Sequence, residues 1–134
     1  MSTPSKEPLK ILVCGGREFE DYELAKNVIS EAIKSKAIEN ADVEIVSGHC
    51  KGADMLGEKY ATEHGTMLKI FKAEWSLYCR AAGPKRNKAM IDYISTSERK
   101  MVIAFVRKNS VGTRNTIKQA QKAGIEVIEI PYDS

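Results

Sequence analysis

The chain has 134 residues, 43% hydrophobic and 29% charged. This is enough for one domain that buries about 70% of its unfolded surface, and the composition excludes collagen-like, coiled-coil and disordered classes. No apolar run nears the roughly 20 residues of a membrane span, Met1–Pro8 has no apolar core for a secretory signal, and 21 Lys plus Arg against 18 Asp plus Glu leave a formal charge of +3, too small an excess to imply nucleic acid by itself.

Residues 1–8 hold two prolines and small polar groups, so a loose tail is expected there, followed by one domain over 9–134. Leu9–Cys14 is a continuous apolar run stopped by Gly15-Gly16, the pattern of a parallel strand buried on both faces. Leu24, Ala25, Val28, Ile29, Ala32 and Ile33 recur three and four apart, an amphipathic helix with Asp21 placed as its N-cap. Val43–Val46 predicts a second strand, stopped at Ser47-Gly48. A helix is expected over Ala53–His64, with Gly65 closing it. Met67–Phe71 predicts a third strand, and 72–81 is irregular. Ala82–Ile94 carries an apolar stripe of Ala89, Met90, Tyr93 and Ile94. Met101–Val106 is a fourth strand and the most apolar. Gly112–Ala123 is the last helix, capped by Gly124, and Ile125–Ile130 is a fifth strand that Pro131 stops. Such alternation predicts a parallel sheet with helices on both faces and right-handed crossovers.

In an open α/β sheet, ligands bind beyond the carboxyl ends of the strands. The residues that packing explains least fall there. They are Gly15, Gly16 and Arg17 after the first strand, and Ser47, Gly48, His49, Cys50, Lys51, Gly52 and Asp54 after the second. Glu74, Trp75, Gly83, Pro84, Lys85, Arg86 and Asn87 follow the third, and Asn109, Ser110, Gly112, Thr113, Arg114 and Asn115 the fourth. Glycines let backbone approach a ligand closely. Loops that open a helix offer unpaired N–H groups to phosphate. Ser47, Ser110 and Thr113 add hydroxyls, Arg17, Lys51, Arg86 and Arg114 add charge, and Trp75 or Tyr78 can stack on a base.

Each has an ordinary use as well. Glycines turn chains, Asp54 suits a helix start, Trp75 and Tyr78 suit packing, and Lys85, Arg86 and Lys88 can form a solvated helix face. His49 and His64 read as a loop and a helix-end residue. Cys14, Cys50 and Cys79 are odd in number and lack a CxxC pair, so they read as reduced thiols in a cytosol, with no zinc or other metal site expected. There is no GxxxxGK[ST], no GxGxxG after the first strand and no GxSxG.

Taken in order, Cys14-Gly15-Gly16-Arg17-x-Phe19-x-Asp21, Ser47-Gly48-x-x-x-Gly52-Ala53-Asp54, Glu74-Trp75, Ala82-Gly83-Pro84-x-Arg86-Asn87-x-x-Met90 and Ser110-x-Gly112-Thr113-x-Asn115-Thr116 resemble the SLOG superfamily, in its YspA/YpsA-like branch. The resemblance spans about Leu9 to Pro131. It implies a Rossmann-like sheet in strand order 3-2-1-4-5 and a pocket for a nucleotide or an ADP-ribose-like derivative. Gly15, Gly16, Arg17, Ser47, Gly48, Gly52, Asp54, Trp75, Arg86, Asn87, Ser110, Gly112, Thr113 and Asn115 are the expected ligand contacts.

Relatives in that superfamily include the Lonely Guy phosphoribohydrolases and DNA-processing proteins that bind single strands. The Lonely Guy pattern has a Glu where Thr116 stands here. Cleavage of an N-glycosidic bond or a phosphate ester would therefore need Arg86 to hold phosphate and Asp54 or Glu74 to act as base. Single-strand binding would use Lys51, Lys85, Lys88, Arg107 and Lys108, but without an aromatic ladder. The expectation is a cytoplasmic binding module for a small nucleotide derivative. Hydrolase activity is the second reading and nucleic-acid binding the third, and a homodimer is an open alternative for the partner.

Overall fold

The computed structural model describes residues 8–71, 83–107 and 111–132. Five strands, β1 (Leu9–Gly15), β2 (Val43–Ser47), β3 (Met67–Ile70), β4 (Lys100–Val106) and β5 (Glu126–Pro131), form one sheet in the order β3-β2-β1-β4-β5. Every pairing is parallel, with Leu12 opposite both Val46 and Val102. The sheet order anticipated from the motifs therefore holds.

Among the described residues, four α-helices cover the two faces: α1 (Tyr22–Ser35), α2 (Ala53–His64), α3 (Gly83–Ser95) and α4 (Val111–Lys122). The period-two alternation of β1 decides which helices go where. Leu9, Ile11 and Val13 point to the α1–α2 face, where they meet Ala25, Ile29, Tyr60 and Ala61. Leu12 and Cys14 point to the other face, against Met90, Ile91 and Ile94 of α3 and Ile117 and Ala120 of α4. Ile11, Leu12 and Val13 have no exposed surface, which is why the run lacks polar positions. Each such side chain contributes about 1.5–3 kcal/mol of burial.

The Asp21 carboxylate accepts from the Leu24 N–H at 3.0 Å, closing the first turn of α1. Asp21→Ala is expected to cost about 1 kcal/mol of stability, read as a lower thermal midpoint at unchanged fold. A midpoint equal to wild type would mean that this cap contributes nothing.

As the order 3-2-1-4-5 implies, β3 is an edge strand: Met67 and Leu68 are 45% and 37% exposed, because only β2 pairs with it. A short 3-10 turn, Asn40–Asp42, leads into β2. Pro131 is the last residue of β5 instead of lying just past it, and Tyr132 then donates to the Val106 carbonyl.

Candidate functional site

The carboxyl ends of β1 and β2 are tied together before any side chain acts. Gly16 donates to the Phe105 carbonyl of β4, and its own carbonyl accepts from Phe19 and Ala53. Gly52, the residue before α2, has φ +94°, a conformation that L side chains rarely adopt. A Cβ there would also strike the Gly16 carbonyl and the Arg17 backbone. The glycines after β1 and β2 are thus a backbone-to-backbone contact that sets where α2 begins.

On that frame α2 presents Asp54 and Glu58, four residues apart and so on one side of the helix. Both are buried. Ser47, at the end of β2, has no exposed surface. Its hydroxyl donates to Glu58 Oε2 at 2.7 Å and accepts from the His49 N–H at 3.0 Å. His49 Nδ1 lies 2.8 Å from the same Glu58 oxygen. A carboxylate only accepts, so Nδ1 carries the hydrogen. His49 holds this position with φ +61°, uncommon for a residue with a Cβ.

Arg86, from the first turn of α3, reaches across the strand ends from the opposite helix layer. Its Nη1 donates to Cys50 Sγ at 2.9 Å. Its Nε is buried and has no hydrogen-bond partner. Gly48 separates this guanidinium from Asp54: a Cβ on Gly48 would stand 2.9 Å from both Arg86 Nε and Asp54 Oδ2. Asp54 in turn accepts from the Cys50 N–H at 3.3 Å.

Burial pushes the Asp54 carboxyl up to about 7, because a charge there is poorly solvated. The Arg86 charge and the Cys50 and Gly48 N–H groups oppose that rise, and Glu58 adds to it. Cys14, on the strand beside them, is a free thiol that burial and the Asp54 charge push far up, so it stays protonated and packs as a small apolar group.

Ser47, Gly48, Asp54 and Arg86 are therefore brought together, and Gly15, Gly16 and Gly52 form the frame beneath them. Asn87 is buried on α3 one residue after Arg86. Arg17 is exposed in the turn after β1. The α4 residues are engaged nearer home. Arg114 donates to the Arg107 carbonyl and Asn115 accepts from Gln119. Thr113 is buried, and Gly112 is exposed. Trp75, Glu74, Tyr78, Cys79, Ser110 and Lys108 lie outside the described residues, as does the tail over 1–7.

His49 and Glu58 were not anticipated. The usable signal was spacing: Glu58 lies four residues after Asp54 on the side of α2 that faces the end of β2. The cysteine reading needs correction, since Cys50 is disulfide-bonded rather than a reduced thiol. Absence of CxxC could not exclude this, because half-cystines are paired by the fold and not by spacing.

Tyr132 offers a second buried orphan. Its hydroxyl lies against Gly16 without a hydrogen-bond partner, while its ring packs 4.8 Å from Phe19. Tyr132→Phe is expected to stabilise the chain by about 1 kcal/mol, measured by urea unfolding, because an unpaired buried hydroxyl is removed. A destabilised variant would show that the hydroxyl has a partner in solution.

A groove of about 420 Å³ between Ser30, Lys34, Ile38, Glu39 and Asn40 lies at the other edge of the sheet, where β2 begins. It lacks the convergent cations and backbone donors of the Arg86 cluster. Among the described residues no group of His, Cys, Asp and Glu is arranged to hold a metal ion, and no helix is long and apolar enough to cross a membrane.

A parallel sheet in this order, carrying a charged cluster between its helix layers at the carboxyl edge, defines a Rossmann-like α/β domain. The chain belongs to the YspA, cpYpsA-related SLOG family, whose model matches residues 9–78. It is 27% identical over 124 residues to the Gene 61 protein of Mycobacterium phage D29, covering 89% of this chain and 94% of that one. Its fold is similar to the X-ray structure of DNA processing protein A from Streptococcus pneumoniae, with a TM-score of 0.68 at 18% identity over 94% of this chain. This chain spans 51% of that structure, so the likeness is one of fold.

Proposed function

We propose that the chain binds a nucleotide or a nucleotide-derived, ADP-ribose-like molecule by its phosphate, at the cluster of Gly48, Asp54 and Arg86. One observation carries this reading: the buried Arg86 Nε–H has no acceptor. A guanidinium left short of a partner away from water is costly, and an oxyanion satisfies it with charge-assisted hydrogen bonds. Ligand sites in open α/β sheets lie on this edge, and membership of the SLOG family agrees with a nucleotide-related role.

Gly15, Gly16, Ser47 and Gly52 shape the floor, and Asn87 is next to Arg86 on α3. Arg17, Gly112, Thr113 and Asn115, with Trp75 and Ser110, would contact the parts of the ligand further from the phosphate. Titration calorimetry of the full chain at pH 6 with AMP, ADP-ribose and inorganic phosphate tests this. Saturable binding of AMP or ADP-ribose is expected. Absence of heat with folded protein contradicts the reading.

Nucleic acid is a weaker reading. DNA processing protein A lends only its fold. Of the basic residues that would track a strand, Lys88 pairs with Asp92 and Arg107 with Glu18, which lowers the charge available to phosphates.

A further inference from the structure

We infer that the same site hydrolyses a phosphoester of its ligand, with His49 as general base, Glu58 as the residue that positions it and Asp54 as general acid. This rests on the phosphate being held by Arg86. A site that only binds has no need of a histidine whose ring is fixed by a buried carboxylate. Here the Nδ1–H donates to Glu58, and Glu58 is itself held by the Ser47 hydroxyl. That arrangement leaves the ring's proton acceptor at Nε2. The ring is one-third exposed while Glu58 is nearly buried, so the histidine is the member of the pair that water reaches. The unusual positive φ of His49 is maintained by its N–H to Ser47 Oγ and its ring to Glu58, two anchors on one residue.

The neighbourhood selects the bond. His49 is flanked in sequence by Gly48, against which Arg86 Nε packs, and by Cys50, to which Arg86 Nη1 donates. Arg86 Nε and Asp54 Oδ2 each lie 2.9 Å from the position that a Cβ on Gly48, the residue before His49, would take. A phosphate held by Arg86 therefore stands beside the Asp54 carboxyl, and phosphorus is the atom attacked. Water loses a proton to His49 Nε2 as its oxygen bonds to phosphorus. The bond from phosphorus to the leaving oxygen breaks, and that oxygen takes the proton of the Asp54 carboxyl. The two residues then re-equilibrate through solvent. No oxidant, reductant or second substrate is needed. The substrate class is a nucleoside phosphomonoester or the pyrophosphate of an ADP-ribose-like molecule.

The test follows AMP and ADP-ribose with the full chain by ³¹P NMR, alongside calorimetry of the same samples. Release of inorganic phosphate from AMP, or of AMP from ADP-ribose, is expected. His49→Gln should lower kcat about 100-fold with KM little changed. Glu58→Gln should lower kcat less and shift the His49 ring ¹⁵N resonances away from the Nδ1–H tautomer, a change that a merely structural role does not produce. Asp54→Asn should also lose turnover. Binding without product, or full turnover by His49→Gln, overturns this inference and leaves the binding reading standing. No binding at all overturns both.

Discussion

Arg86→Gln is expected to weaken binding of ADP-ribose or AMP by about 100-fold while the chain stays folded. The guanidinium joins α3 to the end of β2 through its Nη1 contact with Cys50, and its Nε is the buried donor left without an acceptor. Hydrogen bonds to a charged group contribute about 1.5–3 kcal/mol each. A 100-fold loss corresponds to about 2.7 kcal/mol, within the range of one such bond and its charge. Glutamine keeps a donor near the Nε position but is shorter and removes the fork and the cation. Arg86→Lys should recover only part of the loss, since an ammonium cannot present two parallel donors. Without the guanidinium the Asp54 carboxyl rises further, so the comparison belongs at pH 6, where that group is mostly neutral in both proteins. Equal affinity in Arg86→Gln would move the phosphate elsewhere.

Asp54→Asn is expected to change the pH dependence of stability more than any other single replacement considered. The folded chain holds the Asp54 proton more tightly than the unfolded chain does, with the carboxyl raised from 3.8 to about 7. Its contribution is therefore fully present below about pH 4 and is lost as pH rises through 7. By pH 8 the burial of the charge costs about 4 kcal/mol at most, taking about 1.4 kcal/mol for each unit. Asparagine removes that cost but gives up one acceptor for the Cys50 and Gly48 N–H groups. The variant should be about 2 kcal/mol more stable than wild type at pH 8 and equal to it or weaker at pH 4. Urea unfolding at both values checks the crossing. A constant difference across that range would show that Asp54 ionises normally.

The same titration acts on the ligand. Below pH 7 a neutral Asp54 leaves the Arg86 charge to the phosphate, and above it the carboxylate competes. Anion affinity should fall as pH rises through 7 in wild type and less so in Asp54→Asn.

The strands and α2, placed at Ala53–His64, were legible because apolar runs, glycine stops and helical spacing agreed at each point, while the strand order came from the resemblance carried by the motifs. Gly48, Asp54 and Arg86 were legible for a different reason: parallel topology sends every strand end to one edge, so unusual residues after strands become neighbours. That rule locates loops but not side-chain partners. Glu58 was not singled out from the sequence, and only the fold shows Ser47 and His49 closing on it. Conversely Arg114 and Asn115 sit at a strand end but bond within their own segment.

The Nε–H resonance of Arg86 gives the most direct test of the phosphate site. In a ¹⁵N-edited NMR titration with ADP-ribose, that resonance and the backbone amides of Gly48 to Asp54 should move together and saturate at one affinity. Shifts confined to the groove around Ser30, Lys34 and Asn40, with Arg86 unmoved, would contradict the account.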